Sequence, residues 1–365
     1  MRIERIMVGT PSLYCPFPVE IHPRTDTFQK RTSIWLDKYD FFQIPRVRAL
    51  VGDGQGVEAD GLTWPVGDDD DMQVIADWSM LVRVLGDLTS GRDDTAEPTA
   101  LRETTTWRAA ARLIRLLEVP AAELLPTTDP FLAPWRNVAR RFNAVATSAQ
   151  KRRWIDGHRS FLSAIMWQRA FVVAEERLTL NEHASLRIHT SGVGPGRAVI
   201  EFTRRIEVPG SEMYSPAVQA INEAWGLLSG WEADLFRYCK YRTTNPERDS
   251  GLNLVDLLVL TYGCTAHDAL IHAVELRNQV MSLIVRLQAQ VVQTASPTLR
   301  DYLDGVSLAI RGLLEWRIQS RAASSPSKSA DQIWFTPHIT RTPAPRHTER
   351  IALPAIAWWW DLLES

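Results

Sequence analysis

The sequence is poor in three features that each mark a class of protein. It contains only three cysteines, Cys15, Cys239 and Cys264, and no C-x-x-C spacing, so we expect reduced thiols and no cysteine metal site. It has no run of about 18 apolar residues, so no membrane span is predicted. Its 41 basic and 43 acidic side chains leave a net charge of −2. This balance argues against a nucleic-acid partner, because phosphate binding needs a concentrated basic surface.

The first residues also lack the apolar core of a signal peptide, so a cytoplasmic location is expected. Tryptophan, by contrast, is abundant: the chain holds 14 Trp, against 11 Phe and 7 Tyr. Each Trp buries a large area, and its ring face attracts cations. Most of these side chains are expected in a core. A few of them are candidates to line a ligand cavity.

Helical periodicity dominates the chain. Apolar residues at spacings of three and four, such as Ile75, Trp78, Val82 and Leu85, share one face of a predicted helix over residues 72–85. The pattern predicts roughly ten helices and no clear strand, with irregular structure over residues 1–30. We therefore predict an all-α fold, a class of domain that builds ligand sites between facing helices.

The predicted helical domain covers residues 1–322. Residues 323–365 read as a Ser- and Pro-containing linker followed by a Trp-rich tail, Trp358-Trp359-Trp360. A tail with this much apolar surface is expected to dock, either over the domain's own cavity or on a partner protein. A break is predicted at residues 191–196, where three glycines and a proline occur. Residues 199–208 fit either a strand or a helix, and their context favours a helix.

Four groups of residues occur in a fixed order along the chain. They are Pro16-Phe17-Pro18 with His22-Pro23 and Trp35-Leu36; Ala76-Asp77-Trp78; residues 186–193, Leu-Arg-Ile-His-Thr-Ser-Gly-Val; and Asn253-Leu254-Val255 with Leu313-Leu314-Glu315-Trp316. Together they resemble the bacterial class I terpene synthases, the pentalenene synthase family, from about residue 11 to 322. The resemblance implies a single helical bundle around a deep apolar cavity. In that cavity three magnesium ions ionise an isoprenoid diphosphate, and aromatic walls guide a carbocation through cyclisation.

The metal motifs of that family are degenerate here. The first, Asp-Asp-x-x-Asp/Glu, should follow Trp78 by eight residues, where the chain reads Gly86-Asp87-Leu88-Thr89-Ser90. In the second, Arg237 takes the place of the metal-binding Asn, Tyr241 of the Ser and Asn245 of the Glu. The family's terminal Arg-Tyr pair is missing, and Arg321-Ala322 is the nearest match. No metal site is therefore predicted, and no cofactor.

Two acidic runs offer an alternative with magnesium. Asp93-Asp94-Thr95-Ala96-Glu97 matches the first motif as a string, about two helical turns too late. It is either a displaced metal site or a solvated loop. The run Asp68–Asp71 is expected to cap the following helix, whose dipole favours acidic residues at its start.

The resemblance assigns roles to the remaining site residues. Arg187 takes the position of a diphosphate-sensing arginine, and Gly192 and Val193 lie in the segment that shifts when the leaving group binds. We predict Asp87, Arg187, Arg237 and Tyr241 as catalytic residues, and Trp78, Val82, Arg83, Gly192, Val193 and Trp316 as substrate-binding residues. As general acid, Asp87, His189 and Tyr241 are candidates by position.

The arginines allow two interpretations. Arg83, Arg187 and Arg237 form a metal-free anion site, or Arg83 or Arg237 pairs with Asp87 or Asp234 and closes the former metal entrance. Since guanidinium groups repel metal cations, both interpretations exclude the usual cluster.

Three functions follow from this sequence. The first is an atypical lyase or isomerase of secondary metabolism that cyclises or rearranges an isoprenoid-derived substrate without three-magnesium ionisation. The second is a magnesium-dependent sesqui- or diterpene synthase with displaced ligands. The third is a non-catalytic terpenoid-binding or partner protein. The expected ligand is a small hydrophobic molecule, and a homodimer is possible on family grounds.

Overall fold

The computed structural model describes residues 11–52, 56–89, 99–120, 131–174, 176–244, 252–323 and 337–363. Within them, two strands and fifteen α-helices follow one another, joined by three short 3₁₀ turns. In chain order they are β1 Ser12–Tyr14, α1 Thr25–Leu36, α2 Pro45–Val51, α3 Val57–Thr63, α4 Asp69–Thr89, α5 Thr99–Glu118, α6 Leu132–Val145, α7 Ser148–Ala174, α8 Leu180–Thr190, α9 Val193–Thr203, α10 Gly210–Met213, α11 Pro216–Thr244, α12 Leu254–Tyr262, α13 Ala266–Val291, α14 Pro297–Ala323, β2 His338–Thr340 and α15 Pro354–Ala357.

None of the described helices taken singly has the length and apolar composition of a membrane span. Only α12 and α13 taken together, with a bend of 116° between them, meet that criterion. The chain divides into two compact units. Unit 1 comprises residues 1–18, 175–191 and 209–365, and unit 2 comprises residues 19–174 and 192–208.

Unit 2 is a helical bundle with an aromatic core, formed by α1 to α7 and α9. The ring of Phe142 on α6 stacks between Trp154 on α7 and Phe202 on α9, with centroid distances of 4.3 and 4.4 Å. Helices α7 and α9 approach closely because Gly157 faces Gly194. A Cβ atom on Gly157 would lie 2.5 Å from the Gly194 carbonyl carbon. These two glycines set the spacing of the two helices.

Unit 1 is organised around α11, which packs against α8, α12, α13 and α14. Helices α8 and α11 are also in close contact through glycine. A Cβ atom on Gly226 would overlap the Ile188 carbonyl oxygen, and one on Gly230 would lie 3.1 Å from the Arg187 Cβ. The backbone of α11 therefore lies directly beneath the last turn of α8.

The expectation of a chain without strands is wrong in one place. β1 and β2 pair in parallel, with Ser12 opposite His338 and Tyr14 opposite Thr340. One side chain of α13, Asn278, holds β1 in place: the Tyr14 amide donates to its Oδ1 (2.9 Å), and its Nδ2 donates to the Ser12 carbonyl (2.9 Å). The prediction of irregular structure over residues 1–30 is wrong from Thr25, where α1 begins, and residues 1–10 lie outside the described residues.

The C-terminal segment docks on helices of its own unit. Trp359 is fully buried and its Nε1 donates to Glu223 Oε2 on α11 at 3.0 Å. The Ala355 amide donates to Asn181 Oδ1 in the first turn of α8 at 2.8 Å. The described part of this tail thus packs with unit 1, while the division of the chain at residue 322 stays a prediction.

The predicted helix break is shorter than its sequence suggests. Only Ser191 and Gly192 interrupt the helices, and Gly192 takes a left-handed φ of 78°. Helix α9 then starts at Val193, because Pro195 falls in its first turn, where a missing N–H costs little. Residues 199–203 are helical as preferred, but the helix ends there.

Candidate functional site

The predicted site residues are distributed over both units. Unit 2 carries Trp78, Val82, Arg83 and Asp87 on α4, together with Gly192 and Val193 at the start of α9; unit 1 carries Arg187 on α8, Arg237 and Tyr241 on α11, and Trp316 on α14.

Trp78 is fixed inside unit 2 by a hydrogen-bond chain. Its Nε1 donates to His158 Nε2 at 3.0 Å, and His158 Nδ1 donates to the Trp154 carbonyl at 2.8 Å. Burial lowers the pKa of His158 to about 4, so the ring is neutral at physiological pH. The indole of Trp78 is buried with its polar edge satisfied.

Val82 and Gly192 are brought together by the packing of α4 on α9. A Cβ atom on Gly192 would lie 3.7 Å from Val82 Cγ1. The adjacent Val193 is buried and Val82 is half-buried. The predicted substrate-binding pair thus occupies one location, next to the left-handed turn that precedes α9.

Arg83 lies against α3. A Cβ atom on Gly56 would overlap its guanidinium, and the Asp60 carboxylate is near enough to attract that guanidinium. Burial raises the pKa of Asp60 to about 7, although a hydrogen bond from Ser79 and the charge of Arg83 oppose the shift. The sequence did not identify Asp60 as a neighbour of Arg83.

Arg187 forms a buried ion pair in unit 1. Its Nε donates to Asp234 Oδ2 at 3.2 Å, and its Nη2 donates both to Asp234 Oδ1 and to the Gly230 carbonyl, the latter at 2.9 Å. Its Nη1 donates to Thr190 Oγ1 at 3.1 Å. Neighbouring turns of α8 and α11 therefore hold the guanidinium in a defined plane.

Asp234 joins three helices. Besides Arg187, it lies 3.1 Å from Nε2 of His183, and its Oδ2 accepts the Leu254 amide of α12 at 3.3 Å. Burial opposes ionisation, but the Arg187 and His183 side chains hold the pKa of Asp234 below its usual value. His183 was missed from sequence, although its spacing of four from Arg187 places both on one face of α8.

A second carboxylate on α11 pairs with two further arginines. Glu232 accepts from Arg277 Nη2 at 2.6 Å and from Arg317 Nη1 at 2.5 Å. Arg317 follows the half-buried Trp316 on α14 and also donates to the Ser229 carbonyl at 3.0 Å. The chain neighbour of Trp316, Arg317, thus belongs to a buried ionic network.

Three predicted catalytic residues lie at the ends of long helices. Arg237 is exposed. Asp87 lies in the last turn of α4 and Tyr241 in the last turn of α11, but their side chains are outside the described residues, as are Asp93, Asp94, Glu97 and Asn245. The structure thus brings together Val82 with Gly192, and it pairs Asp234 with Arg187 and His183.

Two positions of the family's metal motifs, 86 and 237, carry no magnesium donor among the described residues. A guanidinium at position 237 offers no acceptor atom, and position 86 offers no side chain at all. Asp234 is already committed to Arg187, His183 and a backbone amide. Among the described residues, no group of three or more His, Cys, Asp or Glu side chains is placed to hold a metal ion.

A family model described as "Terpene synthase family 2, C-terminal metal binding" matches residues 77–282, more than half of the chain. The chain belongs to the terpene synthase family. It is 27% identical to phomopsene synthase of Allokutzneria albata and 25% identical to spiroviolene synthase of Streptomyces violens, each alignment covering 97% of both chains. Membership makes the chain a terpene-cyclase-like enzyme.

Solved structures agree with this membership. The SVS_A2 protein from ancestral sequence reconstruction superposes with a TM-score of 0.77 at 26% identity, covering 97% of this chain and 99% of that one. An α-eudesmol synthase shares the fold with a TM-score of 0.71 at 20% identity, covering 84% of this chain and 98% of that one. The predicted helical fold of class I terpene synthases is confirmed.

Proposed function

We propose that this family member cyclises or rearranges an isoprenoid-derived substrate without ionising a diphosphate through three magnesium ions. One observation carries the proposal: on α11, an arginine occupies position 237, and the carboxylate one turn before it, Asp234, is bound to Arg187. A guanidinium offers no acceptor atom to a metal ion, and its positive charge opposes the binding of a cation nearby.

A templated reaction needs apolar walls that exclude water and aromatic rings that stabilise positive charge on carbon. Holding a flexible substrate in a reactive conformer lowers the barrier to cyclisation substantially without any metal. The substrate class that fits is a neutral or already activated terpenoid or prenylated molecule of secondary metabolism.

A magnesium-dependent sesqui- or diterpene synthase is the second candidate. The description of the matching family model as metal binding favours it. In that case the displaced donors would be Asp87, the acidic run at residues 93–97 and Asn245. Losing most of the usual ligands would remove several kcal/mol of leaving-group stabilisation.

Diphosphate release separates the two candidates. The full chain is incubated with geranyl, farnesyl and geranylgeranyl diphosphates, with magnesium and with chelator, and released diphosphate is measured. The proposal expects no magnesium-dependent release, together with turnover of a neutral terpenoid in chelator. Magnesium-dependent release would overturn it in favour of the second candidate.

A cytoplasmic location and a homodimer belong to the same proposal. Sedimentation of the purified chain checks the dimer, for which a mass near twice the 41.3 kDa of one chain is expected.

A further inference from the structure

The buried ion pair of α8 and α11 leaves Arg187 little capacity for another anion. A guanidinium has five N–H donors. Four of them are engaged. The Nε–H and one Nη2–H donate to Asp234, the other Nη2–H donates to the Gly230 carbonyl, and one Nη1–H donates to Thr190. The planar fork that would grip a phosphate already grips a carboxylate in the same bidentate way.

The surroundings oppose an exchange of partners. Arg187 is 8% exposed and Asp234 is 4% exposed. Drawing the guanidinium out toward a ligand would leave the Asp234 carboxylate buried with His183 and one backbone amide as partners. Removing one member of a buried pair is unfavourable because the remaining charge loses its compensation.

Helix packing also fixes the arginine in place. Gly230 lies against it so closely that a Cβ there would be 3.1 Å from Arg187 Cβ and 3.3 Å from its Nε. The Gly230 carbonyl accepts one of its protons. Asp234 lies one turn further along α11, so the helix presents a carbonyl and a carboxylate to the same guanidinium.

We infer that Asp234 is a built-in anion that takes the place of diphosphate at Arg187. It is a positioning residue: it holds Arg187 and His183 on α8 and prevents the arginine from binding a free phosphate group. This role for Asp234 rests on the proposed function, because an enzyme that does not ionise a diphosphate has no need of a free arginine at position 187.

The test is a calorimetric titration of sodium diphosphate into the full chain in chelator. Wild type and Arg187→Met are expected to bind equally weakly. Asp234→Asn keeps the size of the side chain but releases the guanidinium, so it should bind diphosphate tighter by about tenfold or more, the size of one charge-assisted hydrogen bond. Asp234→Asn combined with Arg187→Met should return to the wild-type affinity.

A matched control is Glu201→Gln, which releases Arg153 from a buried carboxylate in unit 2. It should leave the diphosphate affinity unchanged. If Arg187→Met alone weakens binding by tenfold, the arginine is available in the wild type and the inference is wrong. It is equally wrong if Asp234→Asn folds and gains no affinity.

A wild-type experiment covers variants that do not fold. In crystals soaked with sodium diphosphate, Arg187 should remain on Asp234, and a guanidinium turned onto diphosphate would contradict the inference. These measurements use neither magnesium nor an isoprenoid. Their failure is therefore distinct from a failure of the proposed function, which magnesium-dependent release would show.

Discussion

At the scale of single residues, two buried ionisable groups of unit 2 respond to pH in opposite directions. Asp60 has its pKa raised to about 7, and His158 has its pKa lowered to about 4, in both cases mainly by burial. A pKa that differs between folded and unfolded chains makes stability depend on pH. The pH dependence of the free energy of unfolding therefore reports the pKa shifts of these two groups.

For Asp60, stability is expected to fall as pH rises from about 4 to about 7. In that window the folded state keeps a proton that the unfolded state has lost, so the folded state binds more protons. Asp60→Asn removes this dependence. The free energy of unfolding of the variant, measured in urea, should improve relative to wild type between about pH 5 and pH 8. Parallel pH curves for the two proteins would contradict the shift.

For His158, stability is expected to fall as pH drops from about 6.5 to about 4. There the unfolded state takes up a proton that the folded state excludes, so acid favours unfolding. His158→Gln keeps an acceptor for Trp78 but does not titrate. Wild type should lose more stability than this variant on acidification, and an equal loss would show that the ring is protonated in the folded core.

The sequence identifies Arg187 as a site residue, but it does not show that Arg187 is paired with Asp234. The arginine stands in a motif that can be read from eight adjacent residues, whereas its partner Asp234 lies 47 residues away. That distance is bridged only when α8 packs on α11. The sequence offers Asp234 as a partner for Arg83 or Arg237, because charge alone does not say which helix faces which.

At the scale of helices, glycines decide how closely two elements approach. Gly226 lies where a Cβ would overlap the Ile188 carbonyl oxygen, a backbone atom that cannot move independently. At Gly86 in α4, a Cβ would meet no atom within 4 Å. The same substitution therefore has opposite expected effects at these two positions.

Gly226→Ala should destabilise the protein by about 1–3 kcal/mol, the usual cost of overpacking. Gly86→Ala, the control, should be neutral or stabilising by up to about 1 kcal/mol, because alanine favours a helix. Urea unfolding of both variants measures the difference. Equal effects would mean that α8 and α11 are further apart than described.

The helices themselves were predictable because a period of 3.6 residues is a local property. The strands were not: β1 and β2 are three residues long and pair across more than 320 residues. A segment of three residues is too short to show alternation. Short non-local pairs of this kind are visible only once the fold is known.

At the scale of the whole molecule, the C-terminal segment is part of the fold. Trp359 is fully buried and bonded to Glu223, so Trp359→Ala should cost about 3–5 kcal/mol. Trp359→Phe keeps most of the ring but loses the N–H. It should cost about 1 kcal/mol more than Trp358→Phe, the same change at a half-buried position. Thermal and urea unfolding check this order. A loss near zero for Trp359→Ala would show that the segment is dispensable.

The composition of this tail predicts that it docks, but not where it docks. Three consecutive tryptophans indicated that the segment must bury its surface somewhere, and they did not indicate where. The location depends on Asn181 and Glu223, which offer polar partners at the right distance on two helices. Such partners look like ordinary surface residues in the sequence.

The pairing of β1 with β2 has a consequence for synthesis on the ribosome. Unit 2 is nearly continuous in the chain, so most of it is complete once residue 208 has emerged. Unit 1 must wait, because Tyr14 has no strand partner until Thr340 is translated. At about 5–20 residues per second, the newly made N-terminal strand stays unpaired for many seconds. The backbone edge of β1 therefore stays exposed for as long as the residues between the two strands are being translated.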